Sequence, residues 1–248
     1  MDLKSFFSEN NKVALAFSGG TDSAYLLYAA VKAGADVTAY YVKSQFQPEF
    51  ELRDAERLAE ELGAKMRVLS LDVLCDESIT ENPTNRCYYC KRRIFTAIAE
   101  AAKGDGYALI IDGTNASDDA SDRPGIRALQ ELSVHSPLRE CGITKAQVRE
   151  LSREAGLFTW DKPAYACLAT RIPTGEIITA EKLQKTERAE EHLEKLGFRD
   201  FRVRLMDGSA KLQVRGEQLE LLMEKRMEIL EGLKPLYKTI LLDLEVRG

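Results

Sequence analysis

The apolar run Val13-Ala14-Leu15-Ala16-Phe17 breaks off at Ser18-Gly19-Gly20-Thr21-Asp22-Ser23, and the chain resumes as a helix-compatible stretch over residues 24–33. A buried strand that stops at a glycine pair and restarts as a helix leaves the first-turn N–H groups without intrahelical acceptors, pointing outward. Ser18 and Ser23 add hydroxyl donors to the same turn. Such a nest suits a phosphate or pyrophosphate. The turn has neither the lysine of a Walker loop nor the third glycine of a dinucleotide fingerprint, so neither motif describes it.

Beyond this turn the strand-and-helix rhythm repeats. Residues 37–42 cluster Val, Thr and Tyr as a second strand. Residues 49–62 place Leu52, Ala55, Leu58, Ala59 and Leu62 at helical spacing, with Gly63 as a stop. Strands are expected at 66–71, 107–111 and 134–138. Between them lie a polar connection (72–86) and a helix over 91–102. Thr144 and Gln147 have the spacing of a capping box, which starts a helix running to about Ala155. Alternation with short joints predicts an α/β fold with a doubly wound parallel sheet, whose ligands lie beyond the carboxyl ends of the strands. Asp112-Gly113-Thr114-Asn115 and the carboxylates Asp118 and Asp119 fall at such an end, placed for magnesium or substrate.

Residues 160–171 show neither periodicity and mix aromatics, Cys167 and Arg171, which reads as a site-forming loop. Beyond Gly175 come a helix (179–196), strands at 201–205 and 210–214 joined by a hairpin-type turn, a helix (217–230) and a last strand (239–244). The expected organisation is a larger domain, 1–170, and a smaller α/β domain, 171–248.

Thirty-five basic and 40 acidic residues leave a net charge of −5, which argues against a partner held mainly through nucleic-acid backbone. No apolar run is long enough to cross a bilayer and no secretory leader precedes the loop, so a cytoplasmic protein without a membrane partner is expected. In that compartment Cys75, Cys87, Cys90, Cys141 and Cys167 serve as thiols, ligands or catalysts rather than disulfides. The Cys87-x-x-Cys90 pair admits a redox dithiol, half of a zinc site, or, with Cys167, three thiolates on an iron–sulfur cluster that keeps one iron without a protein ligand.

The hexapeptide Ser18 to Ser23 resembles the pyrophosphate loop of the ATP pyrophosphatase (PP-loop) superfamily, whose members adenylate their substrates. Further pieces come in the same order: Asp112-Gly113-Thr114-Asn115, then Asp122-Arg123-Pro124-Gly125, then Cys167-Leu168-Ala169-Thr170-Arg171-Ile172-Pro173-Thr174-Gly175, then Phe201-Arg202-Val203-Arg204. Together they resemble the LarE family of ATP-dependent sulfurtransferases, which make the nickel-pincer nucleotide cofactor.

That resemblance implies ATP over Ser18, Gly19, Gly20 and Ser23, Mg2+ near Asp22, and a sulfur-delivering cysteine at Cys167. Some members of the family surrender that cysteine's own sulfur. Others resemble this chain in carrying an added CxxC, which implies a [4Fe–4S] cluster on Cys87, Cys90 and Cys167, reloaded by an external sulfide donor. The implied substrate is pyridinium-3,5-biscarboxylic acid mononucleotide, and the implied assembly a homo-oligomer, hexamers included. Arg171, Arg202 and Arg204 are candidates for its phosphate or carboxylates, since guanidinium forks match both. Cluster-dependent tRNA 2-thiolation, an amide-forming adenylating synthetase and a non-enzymatic adaptor remain as rival readings.

Overall fold

The computed structural model describes residues 2–118 and 124–247, so Asp119, Asp122 and Arg123 lie outside the described residues. In chain order the elements are α1 (Leu3–Glu9), β1 (Lys12–Ala16), α2 (Thr21–Lys32), β2 (Asp36–Lys43), α3 (Glu49–Glu61), β3 (Lys65–Ser70), α4 (Glu77–Thr80), α5 (Arg86–Gly104), β4 (Leu109–Asp112), α6 (Pro124–Glu131), α7 (Pro137–Glu140), α8 (Lys145–Glu154), α9 (Ala180–Lys195), β5 (Arg202–Met206), β6 (Ser209–Gln213), α10 (Leu219–Glu224), α11 (Arg226–Leu233) and β7 (Ile240–Leu242). They form two compact units, Met1–Asp72 with Asn85–Lys162, and Val73–Thr84 with Pro163–Gly248.

In the first unit β3-β2-β1-β4 form a parallel sheet in that order. Side chains alternate across a strand, so Val13 and Leu15 of β1 join Val37, Ala39 and Tyr41 of β2 on one face, in a core shared with Leu26 and Leu27 of α2 and Leu58 of α3. Ala14, Tyr40 and Val42 face the other way, onto Ile98 and Ala102 of α5. Helices on both faces of a parallel sheet make the doubly wound fold expected. Leu15, Leu26, Leu27 and Leu58 are fully buried, each stabilising the unit by about 2 kcal/mol through removal of apolar surface from water.

Two local expectations are corrected. The fifth strand at 134–138 shrinks to one bridge: His135 donates its N–H to Ile110 O (3.0 Å) and accepts from Asp112 N (2.9 Å). Pro137, which has no N–H for a ladder, then opens α7. The helix expected from residue 91 begins at Arg86, so Cys87 and Cys90 are the second and fifth residues of the helix.

The second unit pairs β5 antiparallel to β6 and β6 parallel to β7. The expected helix 217–230 is interrupted at Lys225, between α10 and α11. Leu183, Ala189 and Leu193 of α9 are buried along the side that packs on β5. No helix of the described residues is long and apolar enough to cross a membrane.

Candidate active site

The strand order places the switch point of the sheet between β1 and β4, because β2 and β3 continue on one side of β1 and β4 on the other. Ligands of open α/β sheets bind in the crevice at that point. Here both loops are pressed together: a Cβ on Gly113 would stand 2.8 Å from Ser23 N and 3.0 Å from Ser23 Cα, so only a residue without a side chain lets the end of β4 meet the start of α2. Gly19 adopts φ +70° and a Cβ there would sit 3.0 Å from Ala55 Cβ, so this glycine is required by conformation and by space. Gly20 caps α2 without a side-chain hydrogen bond. The turn is braced internally, with Ser18 N donating to Ser23 Oγ (3.3 Å) and the two serine oxygens 3.1 Å apart.

Asp22, in the first turn of α2, accepts a hydrogen bond on Oδ2 from Lys145 Nζ at 2.6 Å. Its Oδ1 is buried and has no hydrogen-bond partner among the described residues. Burial raises the Asp22 pKa and the charge of Asp118 adds to this, while Lys145 and Arg149 oppose it. A buried carboxylate oxygen left without a donor beside a phosphate nest fits a divalent cation.

The loop after β4 is held by its own polar groups. Asp112 accepts from Thr114 N, Thr114 Oγ1 and Ser136 Oγ. Asp118 Oδ2 accepts from Asn115 N at 3.1 Å, and its carbonyl accepts from Arg139 Nη2 at 2.7 Å. Ser117 Oγ accepts from Lys145 N at 3.0 Å, which ties this loop to the start of α8. Ser18, Gly19, Gly20, Asp22, Ser23 and Asp118 thus belong to one constellation, which Lys145 completes. Sequence reasoning misses Lys145; the one signal near it is the capping box that Thr144 and Gln147 form around it.

Cys87 is exposed and Cys90 half-buried near the start of α5, and all five cysteines are thiols. Arg86 Nη2 lies 3.9 Å from Cys87 Sγ. Beside them Tyr88 Oη donates to Glu131 Oε2 of α6 at 2.7 Å, and the Arg127 guanidinium sits over the Tyr88 ring. Among the described residues no group of three His, Cys, Asp or Glu side chains is gathered to hold a metal ion.

In the second unit Cys167 caps a 3-10 turn, Leu168–Arg171. Its carbonyl accepts from Thr170 N (2.9 Å) and Thr170 Oγ1 (2.8 Å). Arg171 is buried among polar groups of its own unit. Nε and Nη2 bind the two oxygens of Glu190 at 2.8 and 3.0 Å, and Nη1 donates to Ala166 O and Thr170 Oγ1, both at 2.8 Å. Burial works against its charge, but Glu190 holds its pKa above the ordinary arginine value. Glu190 also accepts from Val203 N (2.9 Å) and Tyr165 Oη (2.5 Å).

Arg202 is buried, donates to Phe201 O and Ala164 O, and stacks over the Tyr165 ring. Burial first, then the charges of Arg171 and Arg247, bring its pKa down to about 10. Arg204 is half-buried, with Nε on Gln213 Oε1 and Nη1 on Thr170 O. Sequence reasoning also misses Glu190, which carries a usable signal: it is the carboxylate at the helical spacing of Leu183, Thr186 and Leu193, a charge on an otherwise buried stripe.

A switch-point crevice, a Ser-Gly-Gly turn at a helix start and a half-buried aspartate in that helix's first turn are the features of an ATP pyrophosphatase of the PP-loop class. The sequence profile of the queuosine biosynthesis protein QueC matches residues 12–121. Uncharacterized protein slr1717 of Synechocystis is 38% identical over 221 residues, 88% of this chain and 82% of its own. The pyridinium-3,5-bisthiocarboxylic acid mononucleotide synthase of Lactiplantibacillus plantarum is 35% identical over 205 residues, 82% of this chain and 74% of its own. The tRNA-specific 2-thiouridylase MnmA 1 of Clostridium botulinum is 27% identical over 182 residues, 60% of this chain and 52% of its own. The chain belongs to the same family as the Synechocystis and Lactiplantibacillus proteins, among the ATP-dependent PP-loop enzymes of sulfurtransferase type related to LarE, MnmA and QueC.

Proposed function

We propose that the enzyme adenylates a carboxylate of pyridinium-3,5-biscarboxylic acid mononucleotide and replaces the activated oxygen by sulfur, giving the thiocarboxylate in two rounds. The observation that carries this reading is the orphaned, buried Oδ1 of Asp22 beside the phosphate nest, in a chain whose relative from Lactiplantibacillus plantarum bears that product's name.

The N–H groups at the start of α2 and the hydroxyls of Ser18 and Ser23 hold the β- and γ-phosphates of ATP, and Asp22 with Asp118 holds Mg2+. A substrate carboxylate oxygen attacks the α-phosphorus; the bond to the β-phosphate oxygen breaks and pyrophosphate leaves with the electron pair. Activation is needed because a carboxylate oxygen is a poor leaving group. A sulfide sulfur then attacks the acyl carbon and AMP departs, with no net oxidation or reduction. Cys87, Cys90 and Cys167 match a [4Fe–4S] cluster in donor chemistry: three soft thiolates, two of them on one helical turn. When bound, such a cluster supplies an iron with no protein ligand on which external sulfide can be held. Arg204, the half-buried member of the arginine set, takes the substrate's phosphate or second carboxylate, while Arg171 and Arg202 shape the Cys167 loop. An external sulfide donor, a homo-oligomeric assembly and a cytoplasmic setting complete the proposal.

The test is incubation of anaerobically prepared protein with MgATP, sulfide and the biscarboxylic mononucleotide. Pyrophosphate release and a mass change of one oxygen-to-sulfur exchange per round support the reading. Thiolation of tRNA in place of the mononucleotide would transfer the protein to the activity for which the Clostridium relative is named. Four irons per chain, lost when Cys87, Cys90 or Cys167 is replaced, support the cluster; stoichiometric zinc, or conversion of Cys167 to dehydroalanine during turnover, overturns it.

A further inference from the structure

We infer that Asn82 is a positioning residue for Cys167: its buried amide clamps the segment that follows the Cys167 turn, and sulfur delivery depends on that clamp. The inference rests on the reading of Cys167 as a sulfur-delivering thiol. Asn82 lies 90 positions ahead of Ile172, in the stretch 73–84 that packs with residues 163–248 in the second unit. It is 0% exposed and its backbone is left-handed, with φ 55°. Asparagine is one of the few residues with a side chain that visit this conformation readily. Nδ2 donates to Pro173 O at 2.7 Å and to Ile172 O at 3.3 Å, while Asn82 O accepts from Gly175 N at 2.8 Å. Two carbonyls can accept from the amide nitrogen but not from its oxygen, so these partners fix the orientation of the side chain.

Residues 172–175 follow directly on the 3-10 turn Leu168–Arg171 that Cys167 caps. The turn itself is held by arginines, with Arg171 Nη1 donating to Ala166 O at 2.8 Å and Arg204 Nη1 to Thr170 O at 2.7 Å. Arginine thus fixes the carbonyls of residues 166 and 170, Asn82 fixes those of 172 and 173, and the half-buried thiol stands on backbone anchored on both sides. The clamp is seated in its turn: Ile79, Ile172 and Ile178 are buried, and Ile178 N donates to Thr80 O at 2.8 Å. A thiol that must meet an acyl carbon gains from such anchoring, because a misplacement of about 1 Å costs on the order of a hundredfold in rate. The activation of the carboxylate by ATP needs no such placement of Cys167. Loss of the Asn82 amide therefore separates the two partial reactions, which a general loss of stability does not.

The test uses the full chain as wild type, Asn82→Gly and Ile178→Val. Glycine tolerates the left-handed backbone and lacks the amide; valine removes a methylene from the same segment and leaves the amide bonds in place. Anaerobic protein with MgATP, sulfide and the biscarboxylic mononucleotide is assayed for pyrophosphate release and for thiolated product. Iron-free protein is assayed for iodoacetamide alkylation of Cys167, with Cys141 as the internal reference. For Asn82→Gly the expected result is product formation lowered about tenfold, with pyrophosphate release within about twofold of wild type, the size of effect that losing buried hydrogen bonds gives. Cys167 alkylates several times faster in this variant. Ile178→Val lowers the melting temperature and keeps the wild-type product yield and alkylation rate. Wild-type product and alkylation in Asn82→Gly, the same losses in Ile178→Val, or joint loss of both partial reactions overturns the role of Asn82. Hydrogen exchange on wild-type protein decides independently of any variant: Gly175 and Ile178 amides protected as well as those of α9 support the clamp, and fast exchange overturns it. Wild-type protein that forms no thiolated product overturns the reaction proposed for Cys167, while alkylation and exchange still decide the hold of Asn82 on its loop.

Discussion

Glu190 receives the Arg171 guanidinium through two parallel hydrogen bonds, 2.8 Å at Nε and 3.0 Å at Nη2, with side-chain exposures of 7% and 0%. A fully enclosed ion pair is held in place by what else it satisfies: Glu190 also caps Val203 N and Tyr165 Oη, and Arg171 also holds the carbonyl of Ala166 next to Cys167. The pair connects α9, β5 and the cysteine loop of the second unit.

Removing one partner from such a pair strands the other charge. Glu190→Ala is expected to cost about 3–5 kcal/mol, read from urea unfolding. Arg171→Met/Glu190→Leu recovers much of this, since neither charge is then buried alone. The double variant nonetheless alkylates faster at Cys167, because the Ala166 and Thr170 contacts are gone. A single-variant cost no larger than that of a surface pair would show that the bonds carry little.

Asp22 supplies a pH dependence with a definite sign. Burial raises its folded-state pKa above the ordinary 3.8, so the folded state holds this proton more tightly than the unfolded chain does. The ionised group therefore costs stability at every pH above the folded value, and the cost vanishes below 3.8. Asp22→Asn should raise stability at neutral pH by about 1 kcal/mol, a gain that shrinks as the pH falls toward 4, while Mg2+-dependent ATP binding is lost. Thermal melts across that pH range measure the first effect and calorimetry the second.

Gly113→Ala tests the close approach of β4 to α2. The added methyl meets Ser23 backbone, which cannot rotate away, so a cost of about 1–3 kcal/mol and weaker ATP binding are expected together. A melt unchanged from wild type would mean that the two loops are less tightly apposed than this geometry has them.

If the three thiols serve sulfur delivery and not activation, Cys87→Ala, Cys90→Ala and Cys167→Ala should each abolish thiolated product and retain substrate-dependent pyrophosphate release. Parallel loss of both partial reactions in all three variants argues against that division of labour.

Much of the first unit is legible without coordinates because its determinants are local. Val13 to Phe17 ends at Gly19 and Gly20, Gly63 stops α3, and Thr144 with Gln147 starts α8; each signal lies within a few residues of its effect. The stretch 134–138 reads as a strand and folds as a bridge and a short helix, because its apolar residues suit either state equally. Pro137 decides the matter only once its missing N–H is set against the ladder beside Ile110. The CxxC reads as lying on the approach to a helix rather than inside its start for a related reason: helix starts are weakly marked where, as at Asn85, no side-chain cap forms.

Local spacing therefore determined the strand–loop–helix succession and the Ser-Gly-Gly turn at its first joint. Partnership was settled only by folding. Lys145 meets Asp22 across 123 positions, Glu190 of α9 meets Arg171 of the cysteine loop, and residues 73–84 pack with the C-terminal unit. Ion pairs and buried hydrogen bonds depend on distances of about 3 Å between side chains, and separation along the chain carries no information about such distances until the sheet and its helices bring the segments together.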